Sequence, residues 1–313
     1  MMGLADSSDK GRSYAEEIWN NLPLDALSEI FLRINCLKTV ACSCPLKKRF
    51  LQVCRIILQV CRKWCTILSS NVFWIQYGQR YLIAVPPPKL RNEPCLNMKE
   101  ICCFEPFERN LLLNDSGQND FDHWVIVSNY GDGFVIEKPP ICCLNDDNGD
   151  QIETAFVTSY GWCRMFQCVD LWKKGIKPEF LDKFRPPITV SEIFNCRRDC
   201  AAIYALQVHL KKCFGKTQNW EDYKRSPSFL NLPNPIADKT TNMYISRVRR
   251  MDQWSEAKWQ KIEHTFEDYP KGIRYVIFDH WGKDEQFWAG NYGAKMARAT
   301  VIVHFGDGIP KSD

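Results

Sequence analysis

Residues 203–210 read IYALQVHL, and this short stretch decides the fold. Tyr204, Leu206, Val208 and Leu210 alternate with Ala205, Gln207 and His209. A period of two places successive side chains on opposite faces, so the spacing predicts a strand with one buried face. Working outward, short runs rich in β-branched and aromatic residues recur at 124–128, 134–137, 155–159, 273–280 and 299–305. Turn chemistry separates them, as in Asn129-Tyr130-Gly131-Asp132-Gly133 and Asp146-Asp147-Asn148-Gly149. Strands spaced this way, with no long amphipathic helices between them, point to an antiparallel sandwich. The polar run 214–259, with Pro227, Pro233 and Pro235, is expected to be an insertion between two strands.

Upstream the pattern is helical. Asn21-Leu22-Pro23 opens a segment in which Leu24, Leu27, Ile30, Phe31 and Ile34 recur mostly three and four apart. Proline just inside a helix start is favourable, because its missing N–H would be unpaired there anyway. A second apolar stretch, about 50–68, carries Val53, Ile57, Val60, Cys61 and Trp64 at helical spacing. Ser69-Ser70-Asn71 offers capping side chains and a break, and a short third helix with Phe73, Trp74 and Tyr77 follows. The run LQVCR occurs at 51–55 and 58–62, too locally to mean a solenoid. Pro86-Pro87-Pro88 favours a stiff extended segment and a domain boundary, and a helix is expected near 98–102. The organisation expected is a disordered polar tail over 1–14, a helical domain over 15–85, a linker over 86–114 and a β-sandwich over 115–306. The fold class is α+β, mainly β.

Composition narrows the function. A chain of 313 residues suggests two domains or three small ones. With 45% apolar and 25% charged residues, wholesale disorder is excluded. A net charge of +4 is too mild for a nucleic-acid binder, which needs a concentrated basic face. Eleven Trp point to aromatic-rich β packing, a binding surface, or both. No window approaches about 18 uninterrupted apolar residues, so no membrane span is expected. The start, MMGLADSSDKGRSYAEE, has no signal-peptide core, which places the chain in the cytosol or nucleus, with a cytoplasmic location adopted. The sixteen Cys, all at or before Cys213, are therefore read as mostly reduced and buried. Cys42/Cys44, Cys61/Cys65, Cys102/Cys103, Cys142/Cys143 and Cys196/Cys200 include no C-x2-C pair with a matching second half, so no metal is expected. No G-x-S-x-G, G-x-G-x-x-G, Walker A or H-E-x-x-H motif is present, and no cofactor is expected. Asp284/Glu285 read as solvated loop charges. The weight falls on a non-catalytic binding protein.

The helical segment resembles an F-box. Leu22-Pro23 precedes Leu27, Ile30 and Phe31, then Val60-Cys61-Arg62-Lys63-Trp64, then Phe73-Trp74, in that motif's order of landmarks. One departure is a second V-C-R at Val53-Cys54-Arg55, after a longer loop. Residues 107–305 resemble the F-box-associated domain of the sugar-binding F-box proteins. The match runs through Phe107-Glu108-Arg109-Asn110-Leu111-Leu112, Trp124, Gly131-Asp132-Gly133-Phe134 and Ser159-Tyr160-Gly161-Trp162-Cys163-Arg164. It continues through Arg198-Asp199, His264-Thr265-Phe266 and Trp288-Ala289-Gly290.

The resemblance implies a jelly-roll-like sandwich acting as substrate receptor. It also implies an F-box docked on the Skp adaptor and, through it, on the cullin and RING subunits of an SCF ubiquitin ligase. The adaptor contacts it implies are Leu22, Pro23, Leu27, Ile30, Val60, Trp64 and Trp74. The implied ligand is the inner chitobiose of N-linked glycans on misfolded glycoproteins bound for ER-associated degradation. A pyranose has an apolar C–H face and a hydroxyl rim, so it calls for an aromatic face and carboxylate or amide groups. The family's pattern puts these at Tyr160, Asp199, Phe287, Trp288 and, through a D-N-G turn, Asn148, with Arg197 and Arg198 able to orient Asp199. The alternative for Tyr160 and Trp288 is ordinary packing in the sandwich. Where sugar binders of the family carry Tyr-Trp-Lys-Gly-Trp, this chain has Phe287-Trp288-Ala289-Gly290-Asn291. Two other readings therefore stay open: a ligase receptor for protein surface without glycan, and a free lectin-like chaperone.

Overall fold

The computed structural model describes residues 23–33, 62–141, 143, 149, 151–213 and 241–311, without the side chains of 31, 62–65, 241 and 242. The chain forms two compact units that divide between Glu105 and Pro106.

The first unit is helical: α1 (Leu24–Arg33), α2 (Arg62–Ser69), α3 (Asn71–Arg80) and α4 (Met98–Phe104). The Trp74 indole N–H donates to the Leu68 carbonyl at 2.8 Å, and its ring meets Phe73 and Tyr77 edge-on. The Tyr81 hydroxyl donates to the Leu32 carbonyl at 2.8 Å, and Arg80 pairs with Glu29, tying α3 to α1. Ser70 stands at the α3 N-cap but its side chain makes no capping bond. Asn97 caps α4 through the Glu100 N–H at 3.1 Å. Among the described residues no helix is long and apolar enough to cross a membrane.

Among the described residues the second unit holds ten strands and α5 (Pro178–Phe184). The strands are β1 (Val125–Asn129), β2 (Val135–Glu137), β3 (Ala155–Val157), β4 (Cys163–Asp170), β5 (Ile188–Asn195), β6 (Ala202–Lys211), β7 (Thr241–Met251), β8 (Gln260–Phe266), β9 (Tyr275–Asp284) and β10 (Lys295–Val303). They form two five-stranded antiparallel sheets, ordered β1-β4-β9-β6-β7 and β2-β3-β10-β5-β8. This is a jelly-roll-like sandwich whose chain switches sheets repeatedly. Residues 107–111, expected in a linker, run along β10 instead. The Glu108 and Leu111 N–H groups donate to the Val303 and Val301 carbonyls, and Phe107 packs on Phe305 at 4.3 Å.

Aromatic rings join the sheets. Tyr204 of β6 stacks on Phe194 of β5 at 4.3 Å, and Trp124, just before β1, lies flat on His280 of β9 at 4.6 Å and meets Phe156 of β3 edge-on at 5.4 Å. Glu192 of β5, wholly buried, accepts from the Tyr204 hydroxyl at 2.5 Å and meets His280 Nδ1 at 2.7 Å. A carboxylate is tolerable there only because both its oxygens are partnered.

Two expectations need correction. β6 is buried on both faces: Ala205 is fully covered and His209 is 4% exposed. The strand is interior, between β9 and β7, and His209 lies against the Tyr244 ring of β7 at 5.5 Å. Burial, with Lys211 nearby, lowers the His209 pKa to about 3, so the ring is neutral. The expected insertion 214–259 contains strand β7, and its part before residue 241 lies outside the described residues. β7 is an edge strand with Tyr244, Ser246, Arg247, Val248, Arg249 and Arg250 exposed, so its composition reads as loop.

Candidate functional site

Four loops meet at one end of the sandwich: 130–133, 158–162, 196–201 and 285–294. Backbone bonds lock them together. The Asp284 N–H donates to the Ser159 carbonyl, Glu285 to Ala201, Gly293 to Thr158 and Tyr130 to Trp162, at 2.9–3.2 Å. The Gly290 N–H donates to the Asp132 carboxylate at 2.6 Å, and the Asn291 amide donates to the Gly133 carbonyl at 2.6 Å. Gly131 has φ 69°, and a Cβ there would come 2.5 Å from Ser159 Oγ, so only glycine fits where these loops touch.

Asp284 shapes the loop that carries the aromatics. Its Oδ1 accepts from the Phe287 N–H at 2.7 Å, while Oδ2 is buried without a hydrogen-bond partner. This overturns the reading of Asp284 as a solvated charge: it is fully covered, and burial raises its carboxyl pKa. Glu285 does reach the surface, paired with Arg250 at 2.6 Å. The tight turn holds Phe287 at φ 58° and leaves its ring 69% exposed. Lys283 Nζ lies 5.3 Å from the centre of the Phe287 ring and 5.0 Å from that of Trp162.

Trp288 is 40% exposed, and its free face is positioned from behind. Tyr292 meets it edge-on at 5.7 Å, Arg197 lies over the Tyr292 ring at 4.6 Å, and Arg197 grips Asp199 with two bonds of 2.9 Å. The guanidinium lowers the Asp199 pKa below its ordinary 3.8, so the group is a carboxylate acceptor at neutral pH. Trp288, Tyr292, Arg197 and Asp199 thus form one continuous run of contacts. Tyr160 is half-buried on the adjoining 158–162 loop, beside Gly131. Asn148 lies outside the described residues. Tyr292, Lys283 and Trp162 were not assigned roles from sequence. Trp162 falls within the 159–164 match without a binding role attached to it, whereas Lys283 and Tyr292 sit beside motif positions and only the ring geometry marks them.

The adaptor contacts divide. Pro23 is exposed and Ile30 is 36% exposed. Leu27 and Trp74 are buried. Leu22 and Val60 lie outside the described residues, as does the Trp64 side chain. Cys102, Cys163, Cys196 and Cys200 are buried free thiols, and burial raises Cys102 and Cys200 to about 12 and Cys196 to about 11. Among the described residues no cluster of His, Cys, Asp and Glu could hold a metal ion.

A family model described as "FBA: F-box associated region" matches residues 102–229 and 236–303. F-box only protein 6 of Mus musculus is 32% identical over 284 residues, covering 91% of this chain and 83% of its own length. F-box only protein 27 of Mus musculus is 33% identical, covering 78% of this chain and 81% of its own. F-box only protein 17 of Homo sapiens is 32% identical, covering 78% and 82%. Among solved structures, the carbohydrate-binding module TmCBM61 in complex with beta-1,4-galactotriose aligns with 63% of this chain and all of its own, at 12% identity and a TM-score of 0.34, too distant to bear on function.

Proposed function

The chain belongs to the F-box proteins with an F-box associated region, and on that premise we propose that it is the substrate-recognition subunit of an SCF-type ubiquitin ligase. In this reading residues 15–85 are the F-box and dock on the Skp adaptor, which links to the cullin and RING subunits. The sandwich, 115–306, takes the chitobiose core of N-linked glycans on misfolded glycoproteins in the cytoplasm and so directs them to ER-associated degradation. The protein itself binds and does not catalyse. The observation that carries the reading is the half-exposed Trp288 face joined through Tyr292 and Arg197 to a bidentate-held Asp199 carboxylate. A sugar's C–H face would lie on the indole and its hydroxyl or N-acetyl edge would reach the carboxylate and Tyr160.

Calorimetry with chitobiose on wild type and Trp288→Ala tests this. Binding in the high micromolar to millimolar range that Trp288→Ala abolishes supports it, and its absence in wild type, unrestored by Ala289→Lys, rejects it. A second reading, recognition of protein surface without glycan, is favoured by one observation. The Asn291 amide, where sugar binders of the family have Trp, is consumed by its bond to Gly133 and adds no stacking face. A glycan array separates these two readings. Co-purification with the Skp adaptor separates both from a free lectin-like chaperone.

A further inference from the structure

A cleft of about 640 Å³ adjoins Asp199, lined among others by Arg198, Trp254 and Glu256. Trp254 is 67% exposed and has φ 67°. Bulky side chains rarely adopt this left-handed conformation, and where they do the surroundings hold them there. Here the Trp254 N–H donates to the Arg198 carbonyl at 2.7 Å, and the Gln253 side-chain amide donates to the Asp199 carbonyl at 2.9 Å. The turn presenting the indole is therefore bonded to the same loop that presents Asp199. Phe287 shows the same combination of exposure, positive φ and a locking hydrogen bond. Its neighbours bind that same loop, through Glu285 N–H to the Ala201 carbonyl and Cys200 Sγ to Gln286 Oε1. One loop thus anchors two exposed aromatics, of which the chitobiose reading uses one.

The cleft offers an indole face, a guanidinium from Arg198 and carboxylates from Asp199 and Glu256. Charges of both signs around an aromatic face disfavour a strongly ionic ligand. They suit a neutral ring with an apolar side and vicinal hydroxyls, since a carboxylate accepts from those hydroxyls and a guanidinium donates to them. We propose that the Trp254 cleft is a second pyranose subsite. It takes a neutral hexose of the same oligosaccharide whose N-acetylglucosamine lies against Trp288, with Asp199 shared between the two. This rests on the glycan reading of the Trp288 site.

The test is calorimetry on the full chain with chitobiose and with the trimannosyl-chitobiose core, on wild type and on Trp254→Ala, Trp254→Phe and Trp288→Ala. Wild type is expected to bind the longer oligosaccharide about three- to tenfold more tightly than chitobiose, the gain of one aromatic contact. Trp254→Ala should erase that gain while leaving chitobiose affinity unchanged, and Trp254→Phe should keep most of it. The phenylalanine variant also carries the test if the alanine variant misfolds. If wild type binds both sugars equally, or the gain survives in Trp254→Ala, the subsite is wrong while the Trp288 reading stands. If neither sugar binds wild type, the Trp288 reading fails and the subsite fails with it.

Discussion

Between the sheets, Trp124 lies flat on His280, Tyr204 on Phe194, and Glu192 answers both polar rings. At the loop end, Trp162, Phe287, Trp288 and Trp254 stand in solvent, backed by Lys283, Arg197 and Asp199. The two regions use the same residue types for opposite ends. Inside, the ring faces are covered and Glu192 partners the Tyr204 hydroxyl and His280 Nδ1, which makes the group a source of stability. At the loop end the rings stay partly exposed, and at Phe287 and Trp254 hydrogen bonds hold a backbone of positive φ that keeps them so. In the proposed reading the exposed aromatics are the recognition groups, and the covered ones are core.

The contrast breaks most visibly at Glu192. Replacing Glu192 by Ala leaves the Tyr204 hydroxyl and His280 Nδ1 buried without their partner. Removing one side of such a buried network costs about 3–5 kcal/mol. Urea unfolding should show it, and a loss below about 1 kcal/mol would mean that the core network does not carry the stability assigned to it.

Asp284 lies between the two regions, buried like the core but serving the loop. Asp284→Ala should cost about 1–3 kcal/mol by leaving the Phe287 N–H unpaired, and should also weaken chitobiose binding. Asp284→Asn keeps an acceptor and should recover most of both. Equal loss in the two variants would show that the Phe287 bond is not what the carboxyl provides.

Trp288→Ala is the converse case. Unfolding free energy should stay within about 0.5 kcal/mol of wild type while sugar binding disappears. Ala289 is exposed, so Ala289→Lys has room and should strengthen binding by about 1 kcal/mol through a charged hydrogen bond. A large stability loss in Trp288→Ala would move that ring from recognition to core.

The same division governs what the sequence could reveal. The alternation at 204–210 marked β6, because a strand's period is written in its own residues. It did not reveal that Ala205 and His209 are covered too, and for His209 the cover includes the Tyr244 ring of a neighbouring strand. β7 escaped because an edge strand exposes polar residues and reads as loop. Asp199 and Trp288 are singled out by a family pattern alone, and the binding role it implies for them is a proposal. The run from Asp199 through Arg197 and Tyr292 to Trp288 was not legible, because it joins residues about ninety positions apart by geometry that no local spacing encodes.

The finest distinction is between the two carboxylates of the loop end, and pH resolves it. Arg197 lowers Asp199 below its ordinary value of 3.8, so the ionised form is favoured in the folded protein. Its contribution is fully present above 3.8 and is lost only as pH falls through the lower folded value. Asp284 is shifted the other way by burial, so on acidification it takes up its proton above 3.8, before Asp199 does. Its bond to the Phe287 N–H then weakens, because a neutral carboxyl is a poorer acceptor than a carboxylate. Chitobiose affinity measured from pH 7 downward should therefore fall slightly above 3.8, in a step absent from Asp284→Asn, and more steeply below it, in a step absent from Asp199→Asn. A single step that persists in both variants would show that neither carboxylate reads the ligand.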